Sequence, residues 1–430
     1  MPHQVFIAGK NYMSGRLKQT FLAFEAAHYR RYFVANTISS FGTWMQRLGI
    51  SWLVYRLTGS ANWLAIITFA GWFSSFLLMP YAGAVLDGGH RRKILVFSQI
   101  LGFGQAMTMA VLTLTGHISV LWIFFLSLLL GMTNAFDMPG RHSFINDMFN
   151  DRRMLANAIA LNSTGFNMAR MVGPALAGII VAVYGEGICF LLNSFSYLPF
   201  AWVLATMTLE RENIGQVAAG AVGKESESFM VRIIDGLRYS YRHKLIFPML
   251  VLLGVSSFMG MSVHMVLFPV IADRMLGGGA TTLGYLTGAM GFGAIIAALG
   301  LASRRKLEGI QRLPPAAFMI YGISTIAMAY CKSLFAAMPF AALMGACIVM
   351  GWSSSNTLLQ TITERDKISR VMSLSSMSFT GMSPAGGLFM GWLSTQTSTP
   401  TAMVVGGVFC IISSLSCAMR IRHIRPEFNK

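Results

Sequence analysis

The chain has 430 residues, 54% of them hydrophobic and only 11% charged, with a formal net charge of +17. An ordinary soluble domain carries about 25% charged residues, so this composition cannot cover a water-facing surface and excludes a soluble fold. The positive charge invites a nucleic-acid reading, which its distribution along the chain, described below, argues against.

Runs of the roughly 20 apolar residues needed for one bilayer crossing predict twelve membrane helices. They fall at 32–55, 62–86, 94–115, 119–138, 157–184, 187–207, 245–272, 281–302, 313–331, 334–357, 371–394 and 400–419. Helix is the expected form, because lipid offers no partner to backbone polar groups and a closed barrel would alternate with period two. Residues 1–31 are polar and basic without an apolar core. No cleavable leader is expected there, and the first crossing itself directs insertion.

That first crossing carries Asn36, Ser40, Thr43, Arg47 and Ser51, whose spacing makes one polar stripe on a helix. The second ends in Gly83-Ala-Val-Leu-Asp87-Gly-Gly-His-Arg91-Arg92-Lys93. A small residue lets helices approach closely, and an Asp at a helix end can pair with a basic side chain or an opposing helix N-terminus. Asn134 and Asp137 come late in the fourth crossing, followed by Arg141. His142 and Asp147 then form a His-x-x-x-x-Asp in what reads as a short loop, a spacing used by some acyltransferases. No supporting motif follows it, so an enzyme is the lesser reading. The fifth crossing holds Arg170-Met-Val-Gly173-Pro174-Ala-Leu-Ala-Gly178, with Ser163, Asn167, Arg170 and Pro174 on one face. Its proline frees a backbone carbonyl and bends the helix.

The longest polar stretch, Glu210 to Lys244, reads as a linker (209–244) between a first bundle (32–208) and a second (245–420), with a tail at 421–430. Within it Phe229, Ile233, Leu237 and Tyr241 recur every four residues among Arg232, Asp235, Arg238 and Arg242, which predicts an amphipathic helix on the membrane surface. In the second half Ser257, Gly260 and His264 line up on the seventh crossing, and Ser373, Ser376, Thr380 and Ser383 on the eleventh; Asn356 lies late in the tenth. The halves echo each other in order: Asn134 and Asn356, Arg91 to Lys93 and Arg304 to Lys306, Gly173-Pro174 and Ser383-Pro384. Internal repeats around a central pathway are a transporter signature. The five cysteines all lie in predicted helices without metal-type pairing, and no cofactor or metal is expected.

Of the 33 Lys and Arg, 28 lie in the termini and the even-numbered gaps between crossings. Positive loops stay cytoplasmic, so both termini are expected inside, and the excess charge is an orientation signal with some attraction to anionic lipid. Arg56, Arg274 and Lys332 lie in odd-numbered gaps, which leaves Arg47 and Arg170 inside the membrane. A charge at mid-bilayer costs about 2.5–3.5 kcal/mol. Each therefore needs an inward-facing polar surface and either an anionic ligand or a structural partner, such as a helix carbonyl, Asp137 or Glu186.

The segment ending the second crossing resembles the loop signature of the major facilitator superfamily, Gly-x-x-x-Asp-Arg-x-Gly-Arg-Arg. Gly88 and His90 depart from it, which makes Arg141 a substitute partner for Asp87. Gly173-Pro174 and Gly178 resemble the Gly-Pro signature of that superfamily's drug and metabolite antiporters, where it is associated with export and sealing. Trp44-Met-Gln-Arg47, Trp52 to Ser60 and Asn157 to Asn162 are similar to the branch holding enterobactin-type siderophore exporters and macrolide efflux proteins. The resemblance implies an all-α integral membrane protein of twelve helices in two pseudo-symmetric six-helix bundles. Crossings one, five, seven and eleven would border a central cavity, and the protein would sit in a bacterial cytoplasmic membrane. It implies gating roles for Asp87, Arg91, Arg92, Arg141, Gly173 and Pro174. The expected cavity residues are Arg47, Arg170, Asn36, Thr43, Asn167, Asn134, Asn356 and Thr380. The expectation is a transporter, not an enzyme, that exports a small amphipathic solute, neutral or anionic and siderophore-like. Its partners are lipid, that solute and a coupling proton, with no nucleic acid; Asp137 is the first candidate carrier and His264 the second. Broad drug or macrolide efflux is the alternative, since Trp72, Phe136, Trp352 and 31 methionines suit adaptable apolar binding.

Overall fold

The computed structural model describes residues 21–87, 91–149, 151–207, 229–302, 309–364 and 367–421. The expectations for residues 1–20, the linker over 209–228 and the tail over 422–430 lie outside the described residues. Among the described residues there is no strand. The first half holds α1 (Ala27–Thr58), α2 (Ala61–Asp87), α3 (Arg91–Leu114), α4 (Val120–Met148), α5 (Arg152–Tyr184) and α6 (Glu186–Thr206). After the linker helix α7 (Phe229–Arg242) come α8 (Ile246–Met275), α9 (Gly279–Ala302), α10 (Leu313–Met328) and α11 (Leu334–Ile362). The chain closes with α12 (Ile368–Thr380), α13 (Met382–Gln396) and α14 (Thr399–Ile421).

Nine of the described helices are long and apolar enough to cross a membrane. The other three expected crossings differ for physical reasons. α1 carries Arg30, Arg31, Arg47 and Arg56 within one helix, and α10 has only 16 residues. The expected eleventh crossing is broken at Gly381 into α12 and α13. Pro384 has no N–H to give the carbonyl four residues back, so the ladder weakens at this point. Large apolar side chains face outward around the bundle, Phe97 of α3 at 65% and Trp202 of α6 at 66% exposure among them. Such a belt is unfavourable in water and favourable in lipid.

The two halves repeat one packing plan. In the first, α3 runs along α6, α2 along α4, and α1 against α5 and α6. In the second, α10 runs along α14, α9 along α11, and α8 against α13 and α14. The seam follows the same symmetry, with α5 against α9 and α2 against α13.

The linker helix α7 is fastened to the second half. Asp235 pairs with Lys367 at 3.2 Å and with Arg370, and Gly236 and Ser240 are buried beneath the helix. His243 Nδ1 accepts hydrogen bonds from the backbone N–H groups of Leu245 (3.2 Å) and Ile246 (3.3 Å), which caps α8. Burial holds this imidazole below its ordinary value, with Glu364 pulling weakly the other way. The cap requires an unprotonated Nδ1. Its contribution is therefore complete above the unfolded-state value of about 6.5 and is lost as pH falls from there through the folded value. H243A should lower the Tm of the solubilised protein at pH 8, by the loss of a cap worth about 0.5–2 kcal/mol, and by less at pH 5. An equal difference at both pH values would refute the assignment.

Candidate functional site

A cavity of about 300 Å³ lies between the halves, walled by α1, α2, α4 and α5 on one side and α8, α9 and α11 on the other. Its lining is largely apolar, with Met138, Met261, Met265 and Met290 among the contributors. Polar residues in this wall include Arg47, Ser127, Asn134, Arg170 and His264.

Arg47 is held by aromatic faces. Its guanidinium carbon lies 4.8 Å from the ring centre of Trp44, three residues earlier on α1, and 5.0 Å from that of Trp72 on α2. Each such contact is worth about 0.5–2 kcal/mol. The flat faces of the cation are thus occupied. Arg170 lies one turn before Pro174 on α5, and both line the cavity. Pro174 cannot donate to the Arg170 carbonyl, which leaves a bare backbone acceptor beside the cation. Gly173 is packed so closely on α1 that a Cβ there would sit 2.9 Å from Trp44 Cβ, bringing the two arginine-bearing helices together.

The carboxylates that could have neutralised these arginines are engaged elsewhere. Asp137 accepts from Arg141 Nε at 2.6 Å, Gln99 Nε2 at 2.5 Å and Ser98 Oγ at 3.3 Å. Glu186 accepts from Arg56 at 2.7 and 3.2 Å, and Asp273 from Tyr55 at 3.0 Å. Among the described residues neither Arg47 nor Arg170 has a carboxylate within ion-pair distance. Two further cavity atoms, Ser127 Oγ and His264 Nδ1, are buried without a hydrogen-bond partner. Buried polar atoms are nearly always satisfied, and these two, on residues of the cavity wall, are exceptions.

The sequence-derived stripes divide on folding. On α1, Arg47 and Ser51 reach the cavity, whereas Asn36 turns into the first bundle. There it donates to Asn162 at 2.7 Å and accepts from Arg141. Thr43 donates to its own helix at Ser39 O. On α5, Asn167 likewise bonds back to Ser163 O. Asn134 is in the cavity wall, while its repeat partner Asn356 accepts from Ser375 at 3.1 Å. On α8 only His264 of the Ser257, Gly260, His264 trio lines the cavity; Gly260 lies against Tyr321 and Cys410. The π turns at Ser256–Met261 and Val263–Leu267 are the reason. They widen the helix, so residues spaced for an α-helix no longer share a face. Of the aromatics weighed for drug binding, Trp72 lines the cavity, and Phe136 sits edge-on to Tyr81.

Of the expected gating residues, Arg91 pairs with Asp147 at 2.9 Å, and Arg92 donates to the backbone carbonyls of Leu204 and Ala205. Arg141 is spent on Asp137, Asn36, Ser39 and Gln99, and lies over the Phe200 ring at 4.4 Å. The side chains of Asp87 and Thr380 lie outside the described residues. The expected His142–Asp147 loop is instead the last part of α4, which runs on to Met148. Five residues apart on a helix, the two side chains diverge by about 140°, and Asp147 is already paired with Arg91.

Sequence reasoning missed the Trp44–Trp72 clamp, although Trp44 stands at the i−3 position that makes such a contact possible. It also missed the buried amide chain in which Gln46 donates to Gln105 at 2.8 Å and accepts from Asn193. Amides in apolar runs carry no periodic signal.

Across the seam, Gly178 and Gly284 touch backbone to backbone, Tyr55 donates to Asp273, and Arg274 donates to Gly59 O at 2.7 Å. These contacts lie toward the end of the bundle away from the basic starts of α3 (Arg91–Lys93) and α5 (Arg152–Arg153). The halves are therefore in contact on the side opposite these basic helix starts.

The family described as transmembrane secretion effector matches residues 18–428. The staphyloferrin A transporter of Staphylococcus aureus (strain NCTC 8325 / PS 47) is 25% identical over 306 residues, covering 70% of this chain and 73% of that protein. The multidrug efflux pump Tap of Mycolicibacterium fortuitum is 24% identical over 302 residues, 68% and 71% of the two chains. Among solved structures, a peptide transporter POT in complex with sulfate superposes with a TM-score of 0.68 at 13% identity, over 92% and 94% of the chains. A mutant of the nucleoside transporter NupG gives 0.67 at 12% identity, over 91% and 99%. At these identities the structural matches speak for the fold alone.

Proposed function

The chain belongs to the transmembrane secretion effector family of the major facilitator superfamily, and from that premise we propose that it exports a small amphipathic anion by alternating access. The observation that carries this reading is a membrane cavity holding two arginines without a carboxylate partner among the described residues. A bound oxyanion would remove the cost of both buried charges, and the N–H edge of a guanidinium suits an oxyanion better than a flat ring. A carboxylate- or catecholate-bearing chelator of the siderophore type has the required chemistry, and a staphyloferrin A transporter is among the relatives.

The basic helix starts orient the protein with both termini in the cytoplasm of a bacterial cell and the cavity closed toward the outside. Export is then driven by proton entry. The candidate carriers are Asp137, held by Arg141 and Gln99 away from the cavity wall, and His264, which lines it. The Gly173-Pro174 step of α5, where the proline interrupts the helix ladder, acts as a part that flexes and reseals.

The second reading, broad drug efflux, is favoured by the methionines and Trp72 in the cavity wall and by the Tap relative. One experiment separates them. Iron-limited cells with and without the gene are compared for chelator released to the medium and for tolerance to a panel including macrolides. We expect chelator release to require the gene and to stop when a protonophore collapses the gradient. Altered macrolide tolerance with unchanged chelator release would favour the second reading.

A further inference from the structure

We propose that α7 is a seat for anionic phospholipid in the leaflet on the basic side of the protein. Around this helix, at about 100° per residue, three arcs separate. Asp235, Gly236, Tyr239 and Ser240 face the second half, where Asp235 holds Lys367 and Arg370 and Ser240 is fully buried. On the opposite arc Ile234, Leu237 and Tyr241 are 52%, 50% and 73% exposed. Between the two lies a third arc with Arg238 and Arg242, both exposed.

Three large apolar side chains in water on a polar linker need a cover. Their depth identifies it. The Tyr241 ring meets the Phe247 ring edge-on at 5.1 Å, and Phe247 belongs to the first turn of α8, where that helix enters the membrane. The exposed arc is thus level with the lipid boundary, where an apolar strip beneath basic side chains lies flat with its cations among the headgroups. Arg238 and Arg242 have no carboxylate partner among the described residues, so their charge is available to lipid phosphate. Because the inner arc is pinned to the start of α12 by Asp235, a lipid held on α7 is mechanically joined to the second half. This holds whichever solute crosses the cavity.

The test uses the full chain in proteoliposomes, with spin labels on L237C and Y241C. We expect both labels to be accessible to oxygen and shielded from a water-soluble nickel chelate. In vesicles mixing phosphatidylglycerol with phosphatidylcholine, phosphatidylglycerol should be enriched around the protein. R238Q/R242Q should lower that enrichment about tenfold or more, from roughly 1 kcal/mol per basic residue near a charged surface. Labels open to nickel would show a water-facing helix, and labels immobilised in every lipid would show a protein cover; either overturns the proposal. Lipid-facing labels with no preference for phosphatidylglycerol would overturn its anionic part.

Discussion

Replacing Arg170 with Gln should weaken transport of an anionic cargo by about ten- to a hundredfold in apparent affinity, the loss expected when a hydrogen bond to a charged group worth about 1.5–3 kcal/mol is removed. R170K, which keeps the charge but loses the forked donor geometry, should fall between the two. Arg170 is the better target of the pair because its guanidinium has no aromatic clamp. Removing Arg47 would also strip the contacts that order Trp44 and Trp72. Protein stability should not fall in R170Q, since no carboxylate is left unpaired and a costly membrane charge disappears. Uptake of labelled cargo into inverted vesicles, read with Tm on the same preparation, checks both halves of the expectation. Unchanged transport in R170Q would end the anion-site reading, whereas a fall in Tm equal to that of a core mutant would make Arg170 structural.

The second large effect concerns the seam. A Cβ on Gly178 would meet Gly284 Cα at 2.7 Å and Ala280 O at 2.8 Å, closer than real Cβ atoms come to any neighbour. Both atoms belong to backbone, so the helices themselves must separate. The contact joins α5 of one half to α9 of the other, and each half should fold without it. G178V is therefore expected to leave expression and Tm near normal while disfavouring the state closed on this side. Overpacking of this kind costs about 1–3 kcal/mol, enough to shift a two-state equilibrium by roughly one to two orders of magnitude. Spin labels at Thr58 and Gly277 should report a longer mean distance in G178V, with transport reduced at least tenfold. A closed-state distance with normal transport would show that the seam yields locally and that α5 and α9 do not set the equilibrium.

Much of the architecture was legible without coordinates. Hydrophobic length is a local property, so the crossings α2, α3, α5 and α9 could be read from their own residues to within a few positions. The ten-residue extension of α4 to Met148 was not, because its last turns are polar and are held by the Arg91–Asp147 pair, a partner 56 residues away. Nor was the break at Gly381, where apolar residues continue on both sides and only Pro384 hints at a weakened ladder.

The candidate site shows the same division more sharply. The sequence by itself determined that this is a helical membrane protein with two related halves, a basic side, and two arginines in apolar crossings. Each of these depends on residue type along one helix or on the balance of charge between loops. Only the tertiary structure decided what became of the polar residues. Asn36, eleven residues before Arg47, left the cavity for Asn162 and Arg141, and Glu186 was taken by Arg56. The Asp137–Arg141 pair is different: four residues apart on α4, it was legible in the sequence. Trp72 and Trp44 closed around Arg47, and the π turns of α8 left His264 alone of its trio facing inward. The cost of a buried polar group fixes that it must find a partner. Beyond pairs one turn apart on the same helix, which partner it finds depends on how helices distant in sequence are placed against one another, and that placement is not written in the periodicity of any single helix.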